Sequence, residues 1–145
     1  MATPATSIDA CVADGFHLNN GIKTSGGSGV LLLGGEAFTW RPWANEKPTS
    51  RICGLLTESG MMDISKGGAW AVLDLLYPKP DLLILGTGGK VWPITKETRA
   101  ALSELGIRVD IMDTANAAAA YNLLATERGV DGVGAALLPV GWKGR

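Results

Sequence analysis

The sequence predicts an α/β domain of three layers: a mixed central sheet, helices, and an additional antiparallel β layer from the N-terminal half. Three observations carry that reading. Leu82-Leu83-Ile84-Leu85 is apolar at every position, as in a strand buried on both faces of a parallel sheet. After Gly67, helical and strand patterns alternate, the rhythm of crossover connections between parallel strands. Before it, short apolar bursts are broken by Gly, Pro, Asn and Ser, the punctuation of antiparallel strands. At 145 residues the chain is one domain in size, placed here at 16–145 behind an arm at 1–15.

Residues 1–15 show little periodicity and are expected to form a loose arm or an edge strand. Phe16-His17-Leu18 runs into Asn19-Asn20-Gly21, whose residues accept the positive φ of a two-residue hairpin turn. Ser25-Gly26-Gly27-Ser28-Gly29 reads as a loop, followed by strands at Val30–Leu33 and Ala37–Arg41. Pro42 lacks a ladder donor and should end the second of these. Arg51–Leu56 reads as a further strand and Glu58–Lys66 as a connection.

Ala69–Tyr77 is a helical pattern with Asp74 its one charge, stopped by Pro78 and Pro80. The buried strand at 82–85 comes next. Thr95 suits the N-cap of a helix through Leu105, with Thr98, Ala101, Leu102 and Leu105 on one face and Gly106 at its end. Ile107, Val109 and Ile111 alternate with Arg108, Asp110 and Met112, a strand with one wetter face. Asp113 or Thr114 caps a last helix, with Ala117, Ala120, Tyr121 and Leu124 at i, i+3, i+4, i+7 and Gly129 closing it. Val133–Leu138 is the last strand, ended by Pro139.

Composition excludes several functions. Thirteen Lys and Arg against fourteen Asp and Glu give a net charge of −1, with no charge block to gather phosphates, so nucleic acid is not an expected partner. No apolar run approaches the ~18–20 residues of a membrane-spanning helix. Cys11 and Cys53 lack metal-ligand spacing and have one histidine, His17, to join them, so no metal is expected. Two reduced thiols or a disulfide both fit these cysteines. The first Arg is Arg41, so no Arg-rich transit peptide is read; for an imported protein, this sequence has already lost its presequence or was written without it.

The strongest local signal for chemistry is Gly86-Thr87-Gly88-Gly89, directly after the buried strand. Ligands of open α/β folds sit beyond the carboxyl ends of the strands, where glycines let backbone N–H groups approach a phosphate. The spacing fits neither the dinucleotide fingerprint nor the P-loop. Lys90–Ile94 also separates the glycines from the next helix cap, so no helix N-terminus is expected to face them. A tight turn and a small-ligand contact both fit. Asp113 is expected at the same edge, as a cap or as an acid/base group. Tyr121-Asn122 would place a phenol in the core and an amide at its rim. These residues assemble no complete catalytic constellation, and neither catalysis nor a cofactor is expected. The alternative is a small-ligand binder or an enzyme using a pocket at Gly86, Thr87, Gly88, Gly89, Asp113 and Asn122.

Tryptophan is the other signal: five of nine aromatics, with Trp40-Arg41-Pro42-Trp43 at a strand end. Trp40, Arg41 and Trp43 are partner-binding candidates, because Trp and Arg combine large contact area with a polar handle. A satellite core contact is the alternative reading for a Trp beside a Pro.

Several runs together resemble one family. These are Gly86-Thr87-Gly88, Gly106-Ile107, Met112-Asp113-Thr114, Ala120-Tyr121-Asn122-Leu123-Leu124, Glu127-Arg128 and Ala135-Ala136-Leu137-Leu138-Pro139. Phe16, Asn20-Gly21, Gly29-Val30 and Phe38-Thr39-Trp40 fit the same template. The family is that of complex I assembly factor 3, with the adipogenesis-associated domain-containing protein and small prokaryotic relatives. Ala120 and the order Glu127-Arg128-Gly129 depart from its pattern. The resemblance implies a three-layer α/β fold and no established catalysis. It also implies work through contacts with a second assembly factor and early peripheral-arm subunits of respiratory complex I. By the same resemblance the protein works in the mitochondrial matrix or at the matrix face of the inner membrane, touching membrane only indirectly.

Overall fold

The computed structural model describes residues 8–12, 15–18, 23–24, 27, 29–34, 36–40, 61, 80–129 and 132–141. Its elements are β1 (Ile8–Val12), β2 (Gly15–Leu18), β3 (Gly29–Leu33), β4 (Glu36–Trp40) and β5 (Leu82–Thr87). They continue with α1 (Lys96–Glu104), β6 (Arg108–Met112), α2 (Thr114–Arg128) and β7 (Val133–Leu138). The predicted strand at 51–56, connection at 58–66 and helix at 69–77 lie outside the described residues, Met61 apart. So does the turn at 19–21.

Five strands form a mixed sheet in the order β4-β3-β7-β5-β6. β5 runs parallel to both β6 and β7, while β3 is antiparallel to β4 and β7. A right-handed crossover from β5 out to β6 puts its helix on one face of the sheet. The return from β6, past β5 to β7, puts the next helix on the other. The two cores agree with that geometry. Leu31, Leu33, Leu83, Leu85, Ala136 and Leu138 pack with Leu102 of α1, and their strand neighbours Val30, Leu32, Leu82, Ile84, Ala135 and Leu137 pack with Ala117 and Tyr121 of α2. The period-2 alternation of strand side chains thus supplies both faces at once. This is why β3, β5 and β7 are buried at every position.

The N-terminal antiparallel strands divide between two places. β3 and β4 extend the main sheet, and the added β layer is the hairpin of β1 and β2. Ile8–Val12, inside the segment read as a loose arm or an edge strand, forms a paired strand, so the loose-arm reading does not hold for those five residues. Ile8, Phe16 and Leu18 close over the α2 face of the sheet.

Both described helices start at the predicted caps. The Thr95 hydroxyl accepts from the Thr98 N–H, and the Asp113 carboxylate accepts from the Asn116 N–H. On α1, Thr98 and Leu102 are buried. On α2 the buried set is Thr114, Ala117, Ala118, Tyr121 and Ala125, so its inner face is turned from the predicted stripe: Ala120 and Leu124 are only half-buried. Alanines fill this face because the helix lies close on β5 and β7, leaving little depth for side chains.

Candidate functional site

The loops after β5 and β6 leave toward opposite faces of the sheet, which makes the carboxyl ends of these two strands the topological switch point. Crevices that bind ligands in open α/β sheets form at such points. Gly86–Gly89 and Asp113 meet there, as the sequence implied, for Gly86 pairs with Met112 across the two strands.

The crevice is bonded across by the chain's own groups. The Thr87 hydroxyl donates to the carbonyl oxygens of Lys90 (2.7 Å) and Met112 (3.2 Å), and accepts from the Trp92 N–H (3.2 Å). The Thr114 hydroxyl donates to the Leu138 carbonyl (2.6 Å) and accepts from the Gly88 N–H (2.8 Å). The Thr114 N–H in turn donates to the Gly88 carbonyl (2.8 Å). Both threonines are fully buried. A helix N-terminus therefore does face the glycine loop, against the sequence expectation. It comes from α2, after the neighbouring strand, rather than from α1, and tertiary proximity replaces sequence proximity.

Two glycines make this possible. Gly88 has φ +92°, a conformation costly for residues with a Cβ. At Gly86 a Cβ would stand 2.7 Å from Leu137 Cδ2 and 3.1 Å from Thr114 Cα, so the missing side chain sets how closely β5 approaches the start of α2. Beyond the seam, Gly89, Lys90 and Val91 are exposed, and the Lys90 ammonium lies 4.5 Å from the centre of the half-buried Trp92 ring. Asp113 accepts from Asn116 twice, from the backbone N–H at 3.3 Å and from Nδ2 at 2.6 Å, as a capping residue does.

Asn122 lies two turns further along α2 and is bonded elsewhere. Its Oδ1 accepts from the Ile8 N–H (2.7 Å) and its Nδ2 donates to the Ile8 carbonyl (3.0 Å). The structure thus brings Gly86, Thr87, Gly88, Gly89 and Asp113 together and sets Asn122 at the rim of the hairpin. Its neighbour Tyr121 is fully buried, and its hydroxyl has no hydrogen-bond partner among the described residues. Burial pushes that phenol up to about 12. Burial also raises the Cys11 thiol, on β1.

Of the aromatic candidates, Trp40 is 4% exposed and packs in the α1-side core, so its ring is not presented at the surface. It shares a face with Phe38 because strand side chains alternate. Arg41 and Trp43 lie outside the described residues. Sequence reasoning missed Thr114 as a seam residue, treating it as an alternative cap. The signal was a threonine directly behind the capping Asp113, at the end of a strand neighbouring the glycine run. Among the described residues no group of three or more His, Cys, Asp or Glu could hold a metal ion, and no helix is long and apolar enough to cross a membrane.

A three-layer α/β domain with a self-bonded switch point is the class that fold and site define. The chain belongs to the family described as "Protein of unknown function (DUF498/DUF598)", whose pattern matches residues 8–138. It is 35% identical over 71 residues to the rat NADH dehydrogenase [ubiquinone] 1 alpha subcomplex assembly factor 3, a match covering 49% of this chain and 37% of that protein. An uncharacterized protein of Rhodobacter capsulatus is 40% identical over 70 residues, covering 48% of this chain and 55% of its own length. The chain spans about a third of the length of the assembly factors it matches. Among solved structures, a Mth938-like domain from Bordetella pertussis superposes with a TM-score of 0.59 over 97% of this chain and 90% of its own, at 23% identity. That likeness is one of fold.

Proposed function

We propose that the protein works without catalysis, as an assembly factor of the kind named for its vertebrate relatives, through contacts with other proteins. The observation that carries this reading is the bonding of the switch point. The hydroxyls of Thr87 and Thr114 and the Gly88 N–H, the groups best placed to receive a ligand, are spent on the chain itself. A polar group already paired inside the protein gains little by exchanging that partner for a ligand. Partial similarity to the complex I assembly factors supports the choice of partner. In this proposal the protein contacts a second assembly factor and early peripheral-arm subunits, in the mitochondrial matrix or at the matrix face of the inner membrane. Arg41 and Trp43 contribute to the contact face.

The test is affinity purification of the tagged full chain from its own host. Recovery of respiratory complex I precursors is the expected result. A bait that carries none of them, but brings down a stoichiometric small molecule, overturns the reading. It would favour instead a ligand held at Gly86–Gly89 and Asp113.

A further inference from the structure

The N-terminal hairpin is joined to the rest of the molecule in an unusual way. β1 pairs with β2 along one edge, and β2 is tied on its far side to Lys23 and Thr24. Phe16 and Thr24 exchange backbone bonds at 3.3 and 2.9 Å, and His17 forms an isolated bridge with Lys23. At Ile8, the carboxamide of Asn122 supplies both a donor and an acceptor to the backbone N–H and C=O. Those are the two bonds one residue of a neighbouring strand would make. The side chain of Asn122 therefore stands in for a strand, 114 residues away in the chain. Beneath β1, Ile8 lies in an apolar bed with Ala117, Ala118, Tyr121 and Ala125 of α2, and the Tyr121 hydroxyl has no hydrogen-bond partner among the described residues.

We infer that this bed on α2 is a receptor for an extended polypeptide segment, which β1 fills in cis and which an incoming strand of the same chemistry can take over. The ligand class follows from the present occupant: an extended chain with an aliphatic side chain for the bed and one free backbone N–H and C=O for Asn122. This is strand addition with the usual sheet edge replaced by a side-chain amide. β1 is suited to leave. Its register slips between Ile8 and Ala10, so the ladder with β2 is regular only over Ala10–Val12. An arriving segment with a polar group near Tyr121 would also satisfy a hydroxyl that has no partner among the described residues. The inference is independent of the assembly reading and concerns the kind of segment bound.

Hydrogen exchange on the intact chain tests it. The amides of Ile8–Val12 should exchange at least a hundredfold faster than those of β5 and β7, because β1 opens without the main sheet. Asn122→Ala should speed exchange in β1 by about tenfold to thirtyfold, the worth of two ordinary hydrogen bonds, and leave β5 and β7 unchanged. A synthetic peptide with the sequence Ile8-Asp9-Ala10-Cys11-Val12, added in excess to the intact chain, should accelerate exchange of the protein's own β1. It should do so far less in Asn122→Gln, whose longer side chain shifts the amide while keeping its chemistry. Exchange of β1 at the global unfolding rate would overturn the inference, as would a peptide that leaves β1 protection unaltered.

Discussion

Thr114 shows how much one hydroxyl carries. It accepts from Gly88, donates to Leu138, and so joins the ends of β5 and β7 to the start of α2. Thr114→Val keeps the volume and strands one buried N–H and one buried C=O, each costing ~1–3 kcal/mol. We expect a loss of about 2–5 kcal/mol by urea denaturation, against about 1 kcal/mol for Thr114→Ser, which keeps the hydroxyl. Equal losses would show that the methyl group matters more than the bonds. Tyr121 is the opposite case, a buried hydroxyl with no hydrogen-bond partner among the described residues. Tyr121→Phe should be neutral or stabilising. Its pH dependence has a defined sign. The phenol in the unfolded chain ionises near its ordinary value of 10.0, whereas burial makes the folded one hold its proton up to about 12. Between these values the folded state binds more protons, so stability is full below pH 10 and falls as pH rises from 10 to 12. The alkaline decline in Tm should be shallower in Tyr121→Phe. Tryptophan separates two roles at this scale. Trp40→Ala should cost about 3–5 kcal/mol, because its ring is core. Trp43→Ala, under the proposed contact face, should leave the melt nearly unchanged and weaken partner binding about 30-fold.

Among the elements, β5 and α2 are held at a distance set by Gly86. Gly86→Ala would place a Cβ 2.7 Å from Leu137 Cδ2 and 3.1 Å from Thr114 Cα, so the leucine must turn aside and the helix start must give slightly. Overpacking of this kind costs ~1–3 kcal/mol. Gly88→Ala adds strain at a positive φ and should be at least as damaging. Circular dichroism melts of both variants decide this, and a Gly88→Ala protein as stable as the parent would remove the turn from the list of structural constraints. Elements whose signals are local were legible in advance. Thr95 and Asp113 cap the helices they were expected to cap, and Val133–Leu138 is the strand bounded by Pro139. The burial face of α2 was not fully legible. An alanine run offers a helix several equivalent stripes, and contact with the sheet selects Ala118 and Ala125 over Ala120 and Leu124.

For the whole molecule, β7 is the keystone. It lies between β3 and β5, antiparallel to one and parallel to the other, so it joins the N-terminal strands to the crossover half. A chain cut before Gly132 would leave β3 and β5 without the strand between them. It should lack a cooperative thermal transition, and a truncated protein that still melts cooperatively would refute that placement. Pairing β3 with β7 brings together residues about 100 apart, Val30 with Leu137 among them, and contacts of such separation make for slow folding. Local pattern was enough to establish the strand at Leu82–Leu85 buried on both faces and the helix cap at Thr95, and composition was enough for the near-neutral charge. Each of these depends on neighbours within a few positions or on residue counts. Tertiary packing was needed to establish that β3 and β4 join the main sheet, that α2 rather than α1 closes the glycine crevice, that Asn122 fastens Ile8, and that Trp40 is core. Those outcomes depend on which distant segments share a sheet edge or a helix face, and closure of long loops leaves no local pattern to read.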